Sequence, residues 1–279
     1  MTDGTPEASI SWRVDSGVAT IELRNLAQRN ALTPSMCREL IAAFAELDAR
    51  EDVLLIFLRG AGGTFCSGVA VAHLREVLLE HAEAGDAGDL LSLVDAAIGG
   101  CQTFVIALVE GFCFGGGWQL ASACDAIVAD EHAQFAITPA KLGVIYPRVG
   151  LERLARLAGP SVAKLLLATG MRFDATQALG YGLVADVVAE NGLDERAAEL
   201  SRAFLSNSQF TIWATKRLID AETTAAPELD DLWRRLRREM ATGPDADLGI
   251  RAFTAHHRPV FPWRRTTATA PLSEGDPHA

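Results

Sequence analysis

The apolar positions of the chain follow two periods. Val18 to Leu23 alternates apolar with polar residues and is β-branched, which predicts a strand. Val53–Leu58 and Phe104–Val109 are continuous apolar runs, the mark of strands buried on both faces. Between the first two, Thr33 followed by Pro34 marks a helix start, with Thr as N-cap and Pro at the first helical position. Met36, Leu40, Phe44 and Leu47 then recur at helical spacing to about Ala49. Residues 71–100 read as helix, a mobile Gly/Asp stretch near Gly85–Gly88, and helix again. Ala126–Ala129 and Gln134–Ile137 read as further strands. From Val149 onward the pattern is mostly helical, with one strand near Val184–Val188 and helices at 193–205, 209–221, 227–241 and 245–256. Residues 1–10 read as a loose leader, and the polar tail 263–279 as disordered. Strand–helix alternation followed by helices predicts an α/β core with a C-terminal helical subdomain.

Composition narrows the class. The 279 residues are 49% apolar and 22% charged, enough to bury a large core. A net charge of −11 argues against a broad nucleic-acid or anionic-membrane surface, while leaving room for a few local cations to hold phosphates. The five cysteines, Cys37, Cys66, Cys101, Cys113 and Cys124, are odd in number, form no CxxC pair and sit mostly in apolar surroundings. Free buried thiols in a reducing compartment are expected. The first residues lack a basic segment followed by an apolar run, so no signal peptide is read there. No apolar stretch approaches membrane-spanning length, and the expected location is the cytoplasm. His132, His256 and His257 show no metal-ligand spacing with nearby Cys or carboxylates, so no metal is expected.

The candidate chemistry lies in two glycine-rich turns, each after a buried strand: Gly60-Ala61-Gly62-Gly63-Thr64-Phe65-Cys66-Ser67-Gly68-Val69, and Glu110-Gly111-Phe112-Cys113-Phe114-Gly115-Gly116-Gly117-Trp118-Gln119-Leu120. Glycine lets a ligand approach the backbone, and the helix after Gly117 adds a partial positive charge. Two N–H groups converging on one oxygen make an oxyanion hole. Neither turn has the Gly-Lys-Ser/Thr of a P-loop or the context of a dinucleotide fingerprint. Taken alone, either turn could equally be a tight strand–helix connection.

Together the turns resemble those of the crotonase (enoyl-CoA hydratase/isomerase) superfamily. The likeness runs from Arg29-Asn30-Ala31-Leu32 through Phe65-Cys66-Ser67-Gly68, Gly115-Gly116-Gly117, Cys124-Asp125, Gln134-Phe135 and Lys141-Leu142-Gly143. It continues through Ala178-Leu179-Gly180-Tyr181-Gly182-Leu183-Val184 to Ala252-Phe253 and Arg258-Pro259. The resemblance implies a β-β-α spiral core over 11–200, a helical trimerisation subdomain over 201–262, and a homotrimer or homohexamer. It implies CoA thioester substrates, an acyl-carrier-protein thioester being the alternative, with no permanently bound cofactor. By the same resemblance the oxyanion donors are the backbone N–H groups of Val69 and Gly116. The thioester lies among Arg29, Ala31, Ser67, Gly68, Ala70, Gly115, Trp118 and Pro139, and Phe253 reaches adenine in a neighbouring subunit. Where the family often has a phosphate-binding Lys, this chain has His256, which weakens the phosphate contact unless His257, Arg258 or Arg29 takes it over.

The chain departs from the family's hydratases where water would be activated. Their two carboxylates are replaced by Gln119 and Pro139, and the usual Asp after the first oxyanion residue is Ala70. Neither Gln nor Pro exchanges a proton near neutral pH. Decarboxylation passes through the same enolate without abstracting a proton, and a neutral site avoids repelling the carboxylate of a malonyl-type substrate. Thr138-Pro139-Ala140-Lys141-Leu142-Gly143-Val144-Ile145-Tyr146 is similar to the matching stretch of methylmalonyl-CoA decarboxylases, which implies Tyr146 near the leaving carboxylate. Gln119 is expected as a second neutral donor. An enoyl-CoA hydratase/isomerase-like reaction on an unusual acyl group and a non-catalytic acyl-CoA-binding homologue stay open. His73 reads as a solvated helix-face residue, Glu110, Glu131 and Asp125 as structural, and Trp118 as core or pocket wall.

Overall fold

The computed structural model describes residues 8–79 and 89–265. The expected mobile stretch near Gly85–Gly88, residues 1–7 of the leader and the tail beyond Arg265 lie outside the described residues. The described chain opens on a hairpin. Strands β1 (Ser9–Asp15) and β2 (Val18–Arg24) pair antiparallel, with Asp15 opposite Val18. In the two-residue turn, Ser16 and Gly17 both take positive φ, 50° and 88°, the geometry whose twist matches the flanking strands. The leader is therefore shorter than expected: Ser9 and Ile10 are strand residues opposite Arg24 and Leu23.

Helix α1 (Pro34–Asp48) begins as its sequence predicts, with the Thr33 side chain accepting from Met36 N. Strand β3 (Leu55–Gly60) and helices α2 (Leu74–Leu78) and α3 (Leu90–Gly99) follow, then β4 (Phe104–Val109), β5 (Phe112–Phe114) and α4 (Gly116–Ala123). Next come β6 (Ala126–Asp130), β7 (Gln134–Ala136), α5 (Pro139–Leu142) and α6 (Arg148–Thr169), the last broken at Gly159-Pro160. Strand β8 (Arg172–Asp174), α7 (Ala175–Gly180) and β9 (Asp186–Val188) complete the core, before α8 (Leu193–Ser206), α9 (Gln209–Thr223), α10 (Leu229–Thr242) and α11 (Asp245–Thr254). One sheet has the order β1-β2-β3-β4-β6-β9, parallel from β2 onward, and a small sheet has the order β5-β7-β8. The three-residue strands β5 and β8 are too short to carry a periodic signal in sequence.

Both faces of the parallel strands are covered, which is why β3 and β4 read as unbroken apolar runs. Leu55, Phe57, Ile106, Leu108 and Val128 pack against Leu193 and the partly buried Leu200 and Phe204 of α8. Ile56, Leu58, Val105, Ala107 and Val109 face the main core, with Met36, Leu40 and Phe44 of α1 and Val94 and Ile98 of α3. The boundary expected at residue 200 thus falls inside α8, which belongs to the core. A separate cluster begins with Phe210 and Trp213 of α9 and includes Leu232 and Leu236 of α10. Trp263, expected in a disordered tail, packs into this cluster 5.4 Å from the Trp213 ring. Burial pushes the thiols of Cys37, Cys66 and Cys101 up to about 12. Among the described residues no helix is long and apolar enough to cross a membrane.

Two part-buried ion pairs tie the C-terminal segment to the core. Lys216 Nζ donates to Asp125 Oδ2 at 2.7 Å and to Thr103 O at 3.0 Å, while Asp125 Oδ2 also accepts from Val105 N. Asp48 Oδ1 accepts from Gln102 N, Thr103 N and Arg265 Nη1 at 3.0, 2.9 and 3.0 Å. Burial opposes ionisation of Asp48, but Arg265 and the N–H donors overcome it and hold its carboxyl below the usual carboxylate range. A carboxylate lowered on folding contributes stability above its unfolded value of about 4, and that stability is lost as pH falls through the folded value. Asp125 acts in the opposite sense, since burial raises it against the pull of Lys216. Asp48→Asn is therefore expected to flatten the acid limb of the urea midpoint plotted against pH. An acid limb identical to wild type would show that the Arg265–Asp48 contact is not made in solution.

Candidate active site

The two glycine turns are sewn together by backbone pairing on both sides. Asn30, fully buried with φ 57°, donates from Nδ2 to Ala61 O and Thr64 O and accepts at Oδ1 from Asn25 N. Ser67 N donates to Arg29 O, Leu32 N to Gly68 O, and Ala70 N to Leu32 O. On the other side Cys66 N donates to Phe112 O and Phe114 N to Cys66 O. These bonds use the groups flanking Val69 and leave its own N–H out of the pairing.

The second turn meets the first at that point. A Cβ placed on Gly116 would lie 3.3 Å from Val69 N, and one on Gly68 would lie 3.5 Å from Gly116 N. A Cβ on Gly117 would be 2.5 Å from Cys66 O, so only glycine allows this approach. Among the described residues neither the Val69 nor the Gly116 N–H has a hydrogen-bond acceptor. Gly116 opens α4, so its N–H is one of the helix's free first-turn donors. Two N–H groups so placed can hold one oxygen as it gains negative charge.

Beneath the hole lies a buried polar chain. Gln119, with no exposed surface, donates from Nε2 to Asp95 Oδ2 at 2.5 Å. Asp95 is held bidentately by Arg153, both contacts at 2.8 Å, and Arg153 also donates to Ser122 Oγ. Gln119 Oε1 has no partner. It abuts Gly150 of α6: a Cβ there would lie 2.2 Å from Oε1 and 2.6 Å from Tyr146 Cε1. Tyr146 Oη donates to Gly115 O at 3.4 Å, beside the hole. Burial pushes the Tyr146 phenol well above its ordinary value; the Asp95 charge adds to this and Arg153 opposes it. The phenol is therefore neutral at any ordinary pH.

The structure brings Val69, Gly116, Gly115, Gly68, Gln119 and Tyr146 together. Ala31 and Ala70 are buried in the paired loops, Ser67 Oγ donates to Gln28 O, and Pro139 is buried at the start of α5, next to the Thr138 that faces Gly115. Arg29 is exposed, its guanidinium 5.1 Å from the Phe112 ring centroid. Two expectations change. Trp118 is not a pocket wall but core, fully buried against Phe135 and Phe173. Gln119, expected as a donor, is turned the other way: its Nε2 donates to Asp95, and the atom left without a partner is the acceptor Oε1. Phe253 is 84% exposed on α11 and hardly touches its own chain; His256 is exposed just beyond it. His73 is half-buried beside Glu76, Glu110 lies 3.5 Å from Arg59, and Glu131 accepts from Glu190 N.

Sequence reasoning passes over Asp95, Gly150 and Arg153. Asp95 had a signal: it stands on the apolar face of α3 formed by Leu91, Val94 and Ile98, where an acid is out of place unless paired. Among the described residues no three His, Cys, Asp or Glu side chains converge as a metal site. A cavity of about 650 Å³ lies between the end of α3, α9 and α10; it shares no residue with the two turns.

Comparison with known proteins places this geometry. The enoyl-CoA hydratase/isomerase family model matches residues 13–262. EchA17 of Mycobacterium tuberculosis H37Rv, named a probable enoyl-CoA hydratase, is 34% identical over 213 residues, covering 76% of this chain and 80% of that protein. A crystal structure of an enoyl-CoA hydratase/isomerase family member superposes with a TM-score of 0.89 at 46% identity, covering 93% of this chain and all (100%) of the other. The enoyl-CoA hydratase of Bacillus anthracis superposes with a TM-score of 0.82 at 27% identity, over 90% of this chain and 98% of that one. The chain belongs to the enoyl-CoA hydratase/isomerase family, the crotonase superfamily.

Proposed function

We propose that this acyl-CoA enzyme holds the thioester carbonyl oxygen of its substrate on the Val69 and Gly116 N–H groups and removes CO₂ from a malonyl-type acyl group. The observation that carries this reading is that, among the described residues, the groups beside the hole are neutral. By the family resemblance Gln119 and Pro139 stand where hydratases carry their two carboxylates and Ala70 where an Asp is usual, and Tyr146 is a neutral phenol. The carboxylate bonded to Gln119, Asp95, is also engaged by Arg153. Decarboxylation needs no base. The bond from the α-carbon to the carboxylate breaks, CO₂ leaves, and its electron pair forms the enolate whose oxygen the two N–H groups hold. Water then returns a proton to the α-carbon. Once turned from Gly115 O, the single Tyr146 O–H can orient the carboxylate without the ground-state stabilisation that a cation would give.

Hydration of an enoyl-CoA is the second reading, favoured by the names of the relatives. One experiment separates the two: malonyl-, methylmalonyl- and crotonyl-CoA are incubated with the enzyme and the products are read by mass spectrometry. Release of CO₂ with little gain of water is expected. Tyr146→Phe should lower kcat on the malonyl-type thioester by about 10–100-fold, one differential hydrogen bond of ~1.4–2.7 kcal/mol, with little effect on binding of a simple acyl-CoA. Efficient hydration of crotonyl-CoA without CO₂ release from either malonyl thioester would reject the decarboxylase reading. The reading extends to assembly as a trimer or hexamer, in which the exposed Phe253 and His256 serve the CoA of a neighbouring subunit. Sedimentation equilibrium tests that part directly.

A further inference from the structure

We infer that the cavity of about 650 Å³ between the end of α3, α9 and α10 is a second ligand site, which takes a small phosphomonoester with a hydroxyl-bearing body. It is independent of the reaction proposed above, since it shares no residue with the two glycine turns.

The charges of the cavity are sorted. Arg217 of α9 and Arg235 and Arg238 of α10 line it. Among the described residues none of these three guanidinium groups has a carboxylate at ion-pair distance. The other two cations of the lining are already engaged: Lys216 Nζ donates to Asp125 and to Thr103 O, and Arg234 donates to Asp231. The remaining acids, Asp220 and Glu228, stand beside the turn that joins α9 to α10. At ~1.5 Å of rise per residue, Arg235 and Arg238 lie roughly 10 and 15 Å along α10 from Glu228. One end of the cavity is therefore basic and the other acidic. The basic end is a local exception in a chain of net charge −11.

The basic end lacks a counter-ion. Arg217 is half-buried, its guanidinium 4.9 Å from the Trp213 ring centroid. Burial and the like charge of Arg235 hold Arg217 below the ordinary arginine range; Glu239 opposes this, but it also accepts from Trp263 Nε1. Arginine stays charged even so, and an anion between Arg217 and Arg235 would relieve their repulsion. The number of forks selects the anion. One guanidinium satisfies both oxygens of a carboxylate. A phosphomonoester has three terminal oxygens and about 1.5–2 negative charges, so several forks can share it. At the acidic end Asp220 and Glu228 can only accept hydrogen bonds, which hydroxyl groups donate. The volume is in the range of small-molecule sites, ~300–1,000 Å³.

The test uses the full chain. Ribose 5-phosphate, inorganic phosphate and ribose are titrated by calorimetry into wild type, Arg235→Gln/Arg238→Gln and Arg235→Lys/Arg238→Lys. Wild type should bind one ribose 5-phosphate per chain, about 10-fold tighter than inorganic phosphate, and should not bind ribose. The glutamine pair should weaken ribose 5-phosphate about 100-fold, through the loss of two charge-assisted contacts. The lysine pair should weaken it about 10-fold, because the charge stays and the fork is lost. Both arginines are exposed on α10, so the variants should fold, and butyryl-CoA should bind all three proteins equally. Absence of ribose 5-phosphate binding to wild type would overturn the inference, as would undiminished binding to the glutamine pair. A loss of butyryl-CoA affinity in the glutamine pair would also overturn it and assign the arginines to a CoA phosphate. So would a changed association state of that pair in sedimentation equilibrium with no ribose 5-phosphate bound to wild type, which would make the cavity a subunit contact. Equal affinity for the two phosphates would overturn the hydroxyl-bearing part of the assignment.

Discussion

Gly116→Pro is expected to lower turnover by about 10²–10³-fold, the ~2.7–4 kcal/mol typical of losing one oxyanion donor, while the chain still folds. Gly116 opens α4, and the first helical position is where proline is best tolerated, since its missing N–H is unpaired there anyway. The helix therefore survives a change that deletes the donor. Steric crowding must be separated from the lost N–H, because a Cβ at this position lies only 3.1 Å from Val69 Cγ2 and 3.3 Å from Val69 N. Gly116→Ala provides the comparison: it adds the Cβ and keeps the N–H. Steady-state kinetics with a turned-over thioester should place Gly116→Ala well above Gly116→Pro. Equal rates in the two variants would mean that crowding, and not the N–H, is what matters, and the oxyanion assignment would be abandoned.

Arg153→Met is expected to destabilise the fold by about 3–5 kcal/mol, the usual result of leaving one member of a buried ion pair without its partner. Asp95 would remain as a buried carboxylate with only Gln119 Nε2 to satisfy it. Removing both charges in Asp95→Leu/Arg153→Met should leave a protein more stable than Arg153→Met alone, because no uncompensated charge stays inside. The unpaired Gln119 amide should keep it below wild type. Urea denaturation of the four proteins in this cycle measures the coupling. A double variant no more stable than Arg153→Met would indicate that the cost comes from lost packing and not from the uncompensated buried charge. The two predictions probe different parts of one site, the two backbone donors and the ion pair beneath them.

Much of the architecture was legible because local rules govern it. Helix α1 announces itself through Thr33-Pro34 and the spacing of Met36, Leu40 and Phe44, and β3 and β4 through apolar runs that only a doubly covered strand can afford. Strand β1 had its own signal in the alternation of Ile10, Trp12 and Val14, which pack on the core; reading those first residues as leader passes over it. Trp263 had none, since its place depends on the rings of Phe210 and Trp213 more than forty residues earlier.

The sequence by itself determined the family and the two glycine turns, and by resemblance it set Gln119 and Pro139 at the positions of the hydratase carboxylates. Those follow from residue type at a position: glycine where backbones touch, and two side chains that exchange no proton. Only the tertiary structure decided what Gln119 does. Its type allows donor or acceptor, and the choice is imposed by Asp95, 24 residues away, which is fixed in turn by Arg153, a further 58 residues on. Trp118 is decided in the same way, by Phe135 and Phe173 closing around it. An amide has two nearly isosteric ends of opposite polarity, so its orientation is set by the electrostatics of neighbours that only folding brings within hydrogen-bond distance.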